Sequence, residues 1–413
     1  MSSEGGQGAA RDPEADCDVA VVGAGIVGLA TARALALGEG ALRVTVLERE
    51  PEVGLHQTGH NSGVVHAGIY YEPGSLKARL CVEGARELYD YCEEHGVAHE
   101  RCGKVIVARS EAELGALDEL ERRGRANGVP DLRRLGPGEL REVEPHAAGV
   151  AALHSPFTGI ADFPGVARAM ARELEAGEVP VATGCGVRGV ELRGRRIVLR
   201  HERGETAARF AVFCAGGWSD RLAVASGASP DPRIVPFRGA YLRLRPERRH
   251  LVRSLVYPVP DPRLPFLGVH LTRHTSGDVL IGPTAMLAPA RDAYSLGRVR
   301  GRDLAATLAW PGTWRMVRRW WRTGVAEIRY ATSRGAFVRA AAAYVPDLRR
   351  EDVLPGFAGV RAQALGRDGR LVDDFVVSET ERALHVRNAP SPAATSSLAI
   401  AREISDRARA ALD

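Results

Sequence analysis

Three histidines lie among small residues in His56–Tyr71 (HQTGHNSGVVHAGIYY), and their types suit proton transfer against a planar cofactor. An imidazole with an unperturbed pKa of about 6.5 accepts a proton at neutral pH without large tuning. Gly59, Gly63 and Gly68 let the backbone come close to a ligand. His56 and His60 are four residues apart, a metal-ligand spacing on a helix, but Gly59, Asn61 and Gly63 disfavour a helix there, so no metal is expected. His60 and His66, with the distant His270, remain the candidate bases.

The segment just upstream tells what this loop faces. Cys17–Val22 (CDVAVV) reads as a buried strand leading into GAGIVG and a small-residue helix. In that pattern Gly23 makes the tight turn, Gly25 admits a pyrophosphate and Gly28 packs helix on strand, with Ile26 and Val27 at the phosphate-facing helix end. A second strand, RVTVL, ends in Glu48, roughly 20 residues past the last glycine, where a carboxylate accepts hydrogen bonds from a ribose. A 2′-phosphate would be repelled there, which leaves NAD or FAD. Arg49 to Tyr71 is irregular and holds four glycines, unlike a continuing βαβ unit. It resembles the flavin-facing loop of FAD oxidoreductases of the D-amino-acid oxidase superfamily, with Arg49, Thr58, Gly59, His60, Asn61, Ser62 and Gly63 as cofactor contacts.

The elements needed to position these groups fit a chain of 413 residues, 45% apolar and 26% charged, which is long enough for two domains. Residues 1–15 read as a flexible tail and not as a signal peptide, and no run approaches the ~18 apolar residues of a spanning helix. Six scattered cysteines suit a reducing compartment, and the expected location is cytoplasmic or peripheral at the inner face of the membrane. The net charge is +5, yet only Lys77 and Lys104 are lysines; no basic stripe interleaved with aromatics is present, so no nucleic-acid partner is expected.

Strands are expected at 103–108, 150–153, near 181, at 195–200 and at 207–214, with helices at 111–127 and 163–176. The last of these strands runs into CAGGWSDRL, which resembles a second nucleotide-side turn of two-domain flavoproteins and adds Ala215, Gly216 and Trp218, with Val187 nearby, to the cofactor contacts. Proline-rich connections (Pro230, Pro232, Pro236, Pro246, Pro258, Pro260, Pro262, Pro265) then separate what read as short strands of a mainly antiparallel sheet. A helical stretch from 301 to about 322 follows. Near the end, NAPSPAATSS reads as a turn opening a helix at about Pro392, whose N-terminal dipole would favour negative charge near Ser391, Ala393, Ala394 and Thr395. The expected fold is α/β: a Rossmann-like FAD domain from 16–90, 150–225 and 350–413, and a mainly antiparallel substrate domain from 91–149 and 226–349.

Five motifs in order, HQTGHNSGVVHAGIYYEPGSLKARLC, PDPRIVPFRGAYL, PFLGVHLT, GVRAQALGRDGRLVDDF and HVRNAPSPAATSS, resemble the L-2-hydroxyglutarate oxidase/dehydrogenase family from about Asp18 to the C-terminal helix. The resemblance implies FAD, and oxidation of the dicarboxylate L-2-hydroxyglutarate to 2-oxoglutarate with electrons passed to oxygen, a quinone or the respiratory chain. Such a substrate needs cations for two carboxylates and a base for the hydroxyl proton. Arg361, Arg238 and Arg291 are the carboxylate candidates, joined by Gln363 and Tyr241; in an extended strand Arg361 and Gln363 share a face. One departure from the family pattern stands out: Thr284 replaces Asn, and Ala290 stands in place of Lys. It keeps open a rival reading, oxidation of another anion such as glycerol 3-phosphate or an amino acid. A remoter one is a redox-silent flavoprotein that binds RNA or a protein partner.

Trp310–Arg322 (WPGTWRMVRRWWR) combines four Trp with four Arg. Two readings compete: an ordinary helix with its Trp face packed inside, and a peripheral membrane contact serving a quinone.

Overall fold

The computed structural model describes residues 15–38, 40–261, 264 and 266–412. All but one residue of the expected tail, together with Pro262 and Pro265, thus lies outside the described residues.

The first sheet has a parallel centre, in the order Val181–Ala182, Val44–Leu47, Cys17–Val22, Gly204–Phe213. Ala383–Asn388 adds to it in parallel at Phe213, and the hairpin Val187–Arg193/Arg196–His201 closes one side. The six residues of Cys17–Val22 are all buried, as expected of a strand covered on both faces. Helices Ile26–Ala36, Leu76–Glu94, Phe163–Ala176 and Ser397–Ala410 share one apolar core against it. This is the Rossmann-like arrangement expected from the glycine pattern.

The second sheet has nine strands and is antiparallel apart from the pair Lys104–Ala108 with Leu255–Pro258. Its spine is Arg233–Leu244 against Val353–Leu365. Here the expectation of short strands holds for Leu255–Pro258, His270–Arg273 and Val279–Gly282 but not for Arg233–Leu244. Pro236 sits inside a strand of 12 residues, where it is tolerated because its partner Ala362 turns its own N–H away to Gln57 and the strand on the other edge pairs only at 237–238. Ala151–Ser155 and Val353–Leu365, both expected on the cofactor side, hydrogen-bond into this second sheet.

Three helices depart from expectation. Leu76–Glu94 was not anticipated; Ser75 caps it by accepting from Ala78 N–H, and its amphipathic face closes over the histidine loop. The final helix begins at Ser397, five residues later than expected, because 391–396 form a turn after a cis Ser391–Pro392 bond. The tryptophan segment belongs to Pro311–Thr332, broken by non-helical angles at Trp320 and followed by a further helix, Arg334–Ala342.

Candidate functional site

A cavity of about 1690 Å³ runs between the two sheets. At one end lie the glycines. A Cβ on Gly23 (φ +105°) would sit 2.5 Å from the Cys214 carbonyl oxygen, and one on Gly28 only 1.9 Å from that of Gly23, so both are required by packing alone. Gly25 differs: a Cβ there meets only Thr58 Oγ1, at 3.4 Å, and the face it leaves open borders the cavity. Glu48 is buried and oriented, accepting from Ala24 N–H at 2.6 Å and Glu50 N–H at 2.9 Å. Ile26, Val27, Val187, Ala215 and Gly216 border the same end. Arg49 lies over the Trp218 ring at 4.0 Å while pairing with Glu50.

The loop that follows holds its shape by its own side chains. Asn61 donates to the carbonyls of Gln57 and Thr58 and accepts from Gly63 N–H, so its amide braces the loop at the border of the cavity. Thr58 accepts from Ile26 N–H at 3.1 Å, capping the first helix. Gly59 is sterically fixed by the Gly54 carbonyl, 2.9 Å from where its Cβ would be, and Gly63 has φ +74°. Ser62 borders the cavity and hydrogen-bonds Tyr241.

The three candidate bases sit differently. His60 stacks on Tyr294 with centroids 3.8 Å apart and uses Nδ1 on the His56 carbonyl. His66 borders the cavity. Its backbone N–H donates to Thr395 Oγ1, Nε2 meets Ser391 Oγ at 3.2 Å, and Nδ1 is buried without a partner among the described residues. Burial, with Lys104, His270 and Lys77 nearby, holds its pKa well below the usual histidine value. His270 stacks on Tyr257 and faces the cavity. Its Nδ1 bonds the Gly268 carbonyl, which directs the Nε2 lone pair elsewhere, and burial pushes it down to about 3.

The five expected substrate groups divide. Arg361, Gln363, Tyr241 and Arg291 border the cavity, and Arg238 does not. The Arg361 guanidinium lies 5.0 Å from the Phe266 centroid and has no carboxylate within ion-pair distance among the described residues. The Gln363 amide donates to the Val372 carbonyl at 3.0 Å. Two arginines are held otherwise. Gly239 and Tyr241 turn to the cavity, so strand alternation turns Arg238 away from it. Arg291 is buried and forks onto Asp220, with further bonds to Gly217 and Ile234 carbonyls, so it is a structural cation. Nor do the departures reach the site: Thr284 accepts from Ala240 N–H, and Ala290 packs with Ala288, Ala293 and Val360.

Sequence reasoning missed Gln57, Tyr257, Tyr294 and Lys104. Gln57 accepts from Ala362 N–H and ties the loop to the substrate strand. Lys104, 1% exposed, opens a buried β-branched strand, and a lysine in GKVIVA was the available signal. No sequence signal marked Tyr294.

The residues fit FAD. The open face of Gly25, the oriented Glu48 and the orphaned buried Asn388 Oδ1 on the wall all await a polar ligand, and the volume exceeds the ~300–1000 Å³ of ordinary ligand pockets. Turn residues Ser391, Ala393, Ala394 and Thr395 border the cavity too; Thr395 Oγ1 also donates to the Val64 carbonyl.

Comparison with known proteins agrees. A family model described as DAO, FAD dependent oxidoreductase, matches residues 18–407. The chain is 47% identical to a mitochondrial L-2-hydroxyglutarate dehydrogenase of Nematostella vectensis, over 96% of this chain and 91% of that protein. It is 44% identical to an L-2-hydroxyglutarate dehydrogenase of Indibacter alkaliphilus, over 93% and 97%. Among solved structures, dithionite-reduced L-alpha-glycerophosphate oxidase from Mycoplasma pneumoniae with FAD bound matches with a TM-score of 0.77 at 23% identity, covering 96% of this chain and 94% of that one. That last likeness speaks to the fold.

Proposed function

This chain belongs to the FAD-dependent oxidoreductases of the DAO family, and from that premise we propose that it oxidises L-2-hydroxyglutarate to 2-oxoglutarate. The observation that supports an anionic substrate most directly is Arg361, a cation on the cavity wall with no carboxylate within ion-pair distance among the described residues. The names and extents of the relatives support the particular substrate.

Bound FAD supplies the acceptor for the hydride that leaves C2 of the substrate. The chain does the rest. Gly25, Glu48 and the 391–395 turn hold the cofactor. Arg361 takes a substrate carboxylate through two parallel hydrogen bonds, and Tyr241 closes the wall beside it. His66 takes the hydroxyl proton: with Nε2–H given to Ser391, its Nδ1 keeps a lone pair, and a pKa held below the usual value leaves it unprotonated at neutral pH. His270 stands as the alternative base. The chain divides into a cofactor domain and a substrate domain, with Ala151–Ser155 and Val353–Leu365 counted with the latter.

Anaerobic mixing tests the reading. L-2-hydroxyglutarate bleaches the visible flavin absorbance, whereas the D enantiomer, glycerol 3-phosphate and amino acids leave it unchanged. Bleaching by one of those others, with none by L-2-hydroxyglutarate, overturns it.

Electrons pass from the flavin to oxygen or a membrane quinone, and one surface supports the second. No helix among the described residues is long and apolar enough to cross a membrane. Yet Trp314 and Val317 before the break at Trp320, and Trp321, Val325 and Ile328 after it, are exposed apolar residues among Arg315, Arg318, Arg319 and Arg322. Only Trp310 is buried as an inward-packed face requires; Trp320 and Arg319 border the cavity. Flotation with anionic vesicles carries the protein upward, and Trp314→Ser with Trp321→Ser abolishes it. Wild-type protein that stays at the bottom removes the membrane contact.

A further inference from the structure

We propose that Lys104 is a positioning residue for the proton transfer: a buried ammonium packed on Tyr257 that adds to burial in disfavouring protonation of His270 and His66. The inference rests on the reading of the site as one that removes a hydroxyl proton.

The geometry comes first. Lys104 opens the strand Lys104–Ala108, flanked by Leu255 and Ser155, and is almost fully enclosed. Its Nζ lies 4.2 Å from the Tyr257 centroid and 5.3 Å from that of Tyr70. Tyr257 in turn stacks on His270 with centroids 4.1 Å apart. The ammonium and the His270 imidazole thus both lie against the Tyr257 ring, and Tyr257 and His270 border the cavity. A buried lysine has a high desolvation cost, and an apolar residue of similar length would fill the space without it. Composition sharpens this point: of 56 basic Lys and Arg residues only two are lysines, and both act on His66. The other, Lys77, is anchored on Asp373. A compact ammonium differs from guanidinium in that burial readily lowers its pKa, and Lys104 is pushed down to about 7.

The groups around each partner set the sign. Lys104 faces Tyr70 and Tyr257, and the thiols of Cys81 and Cys102. His66 faces Lys104, Lys77, His270 and Ser391. His270 faces Lys104, Arg361, Tyr257 and the Gly268 carbonyl. Burial is the largest cause of the low pKa of both histidines, and the positive charges beside them act in the same direction. Removing the ammonium raises that pKa, and protonation then blocks the base at a higher pH.

Lys104→Met and Lys104→Arg test this against wild type, with bound FAD and the thermal midpoint measured for each. Two readouts are used: the acid limb of kcat/KM, and the pH titration of the His66 and His270 ring nitrogens by NMR, identified by their loss in His66→Asn and His270→Asn. Lys104→Met moves both upward by about one pH unit, and Lys104→Arg brings them back toward wild type. Titrations that do not move in flavin-loaded Lys104→Met, or that move equally in both variants, overturn the proposal and leave Lys104 a packing residue. Should Lys104→Met not retain FAD, Lys104→Gln is judged by the same ring titration. The NMR readout needs no substrate, so it stands apart from the bleaching test.

Discussion

At the glycine end of the cavity, Ala24 and Glu48 meet across 24 residues of chain; at the histidine end, His66 and Ser391 meet across 325. The first end is made of backbone: two glycines whose side chains would strike carbonyls, a third left open, and a carboxylate held by two N–H groups. The second is made of side chains from the loop and from both sheets, and stays in place because Gln57, Thr395 and Ser391 tie the loop to distant elements. A local backbone site tolerates almost no added atoms. A long-range side-chain site tolerates substitution of one member while the rest persists. Variants at the two ends should therefore fail in different ways.

The largest effect is expected at Gly28. Gly28→Ala places a methyl 1.9 Å from a carbonyl and displaces the first helix, so the protein is recovered without flavin or not at all. Gly25→Ala has room against Thr58 and folds, but its methyl occupies the face toward the cavity; flavin content per protein falls while the apoprotein remains soluble. Equal loss of fold in the two variants would break the distinction drawn within this end.

Next comes His66→Asn. It keeps FAD and lowers kcat by about 10²–10⁴-fold, the usual worth of a positioned base. A loss of flavin instead would make His66 part of the cofactor end. Below that lie two arginines of the same composition and opposite duty. Arg361→Met raises KM by about tenfold or more, since each hydrogen bond to a charged group contributes about 1.5–3 kcal/mol, and leaves the melting temperature near wild type. Arg291→Met leaves KM alone but strands buried Asp220, which costs about 3–5 kcal/mol of stability.

That contrast between arginines marks how far the sequence could be read. The glycine end was legible because its signal is short and periodic: a strand, three glycines, a helix, a strand, a terminal Glu. Arg361 and Gln363 were legible through strand parity. Arg238 and Arg291 were not, because parity shows which residues share a face but not which face is inside, and nothing near Arg291 announces Asp220, 71 residues away. Pro236 misled for a related reason, since a proline breaks a strand only where a neighbour needs its N–H. The loop was read as facing the cofactor and does border the cavity, while Asn61 and Thr58 also use their polar atoms on the loop and first helix, a demand visible only once the loop is folded.

The smallest effect separates the two ends by pH. In an unfolded chain a histidine binds a proton below about 6.5, whereas His270 in the fold resists protonation down to about 3. Between those values the unfolded state binds more protons, so stability present above pH 6.5 is lost as the pH falls, by up to about 1.4 kcal/mol per unit for this one group. His66 acts in the same direction. Denaturant midpoints of wild type therefore decline from pH 6.5 toward 4, and His270→Gln declines less steeply, the two curves converging as the pH falls. Gly25→Ala, altered only at the backbone end, keeps the wild-type slope. A His270→Gln curve parallel to wild type would mean that the imidazole is not held neutral by burial, and the long-range end of the cavity would lose the property that distinguishes it.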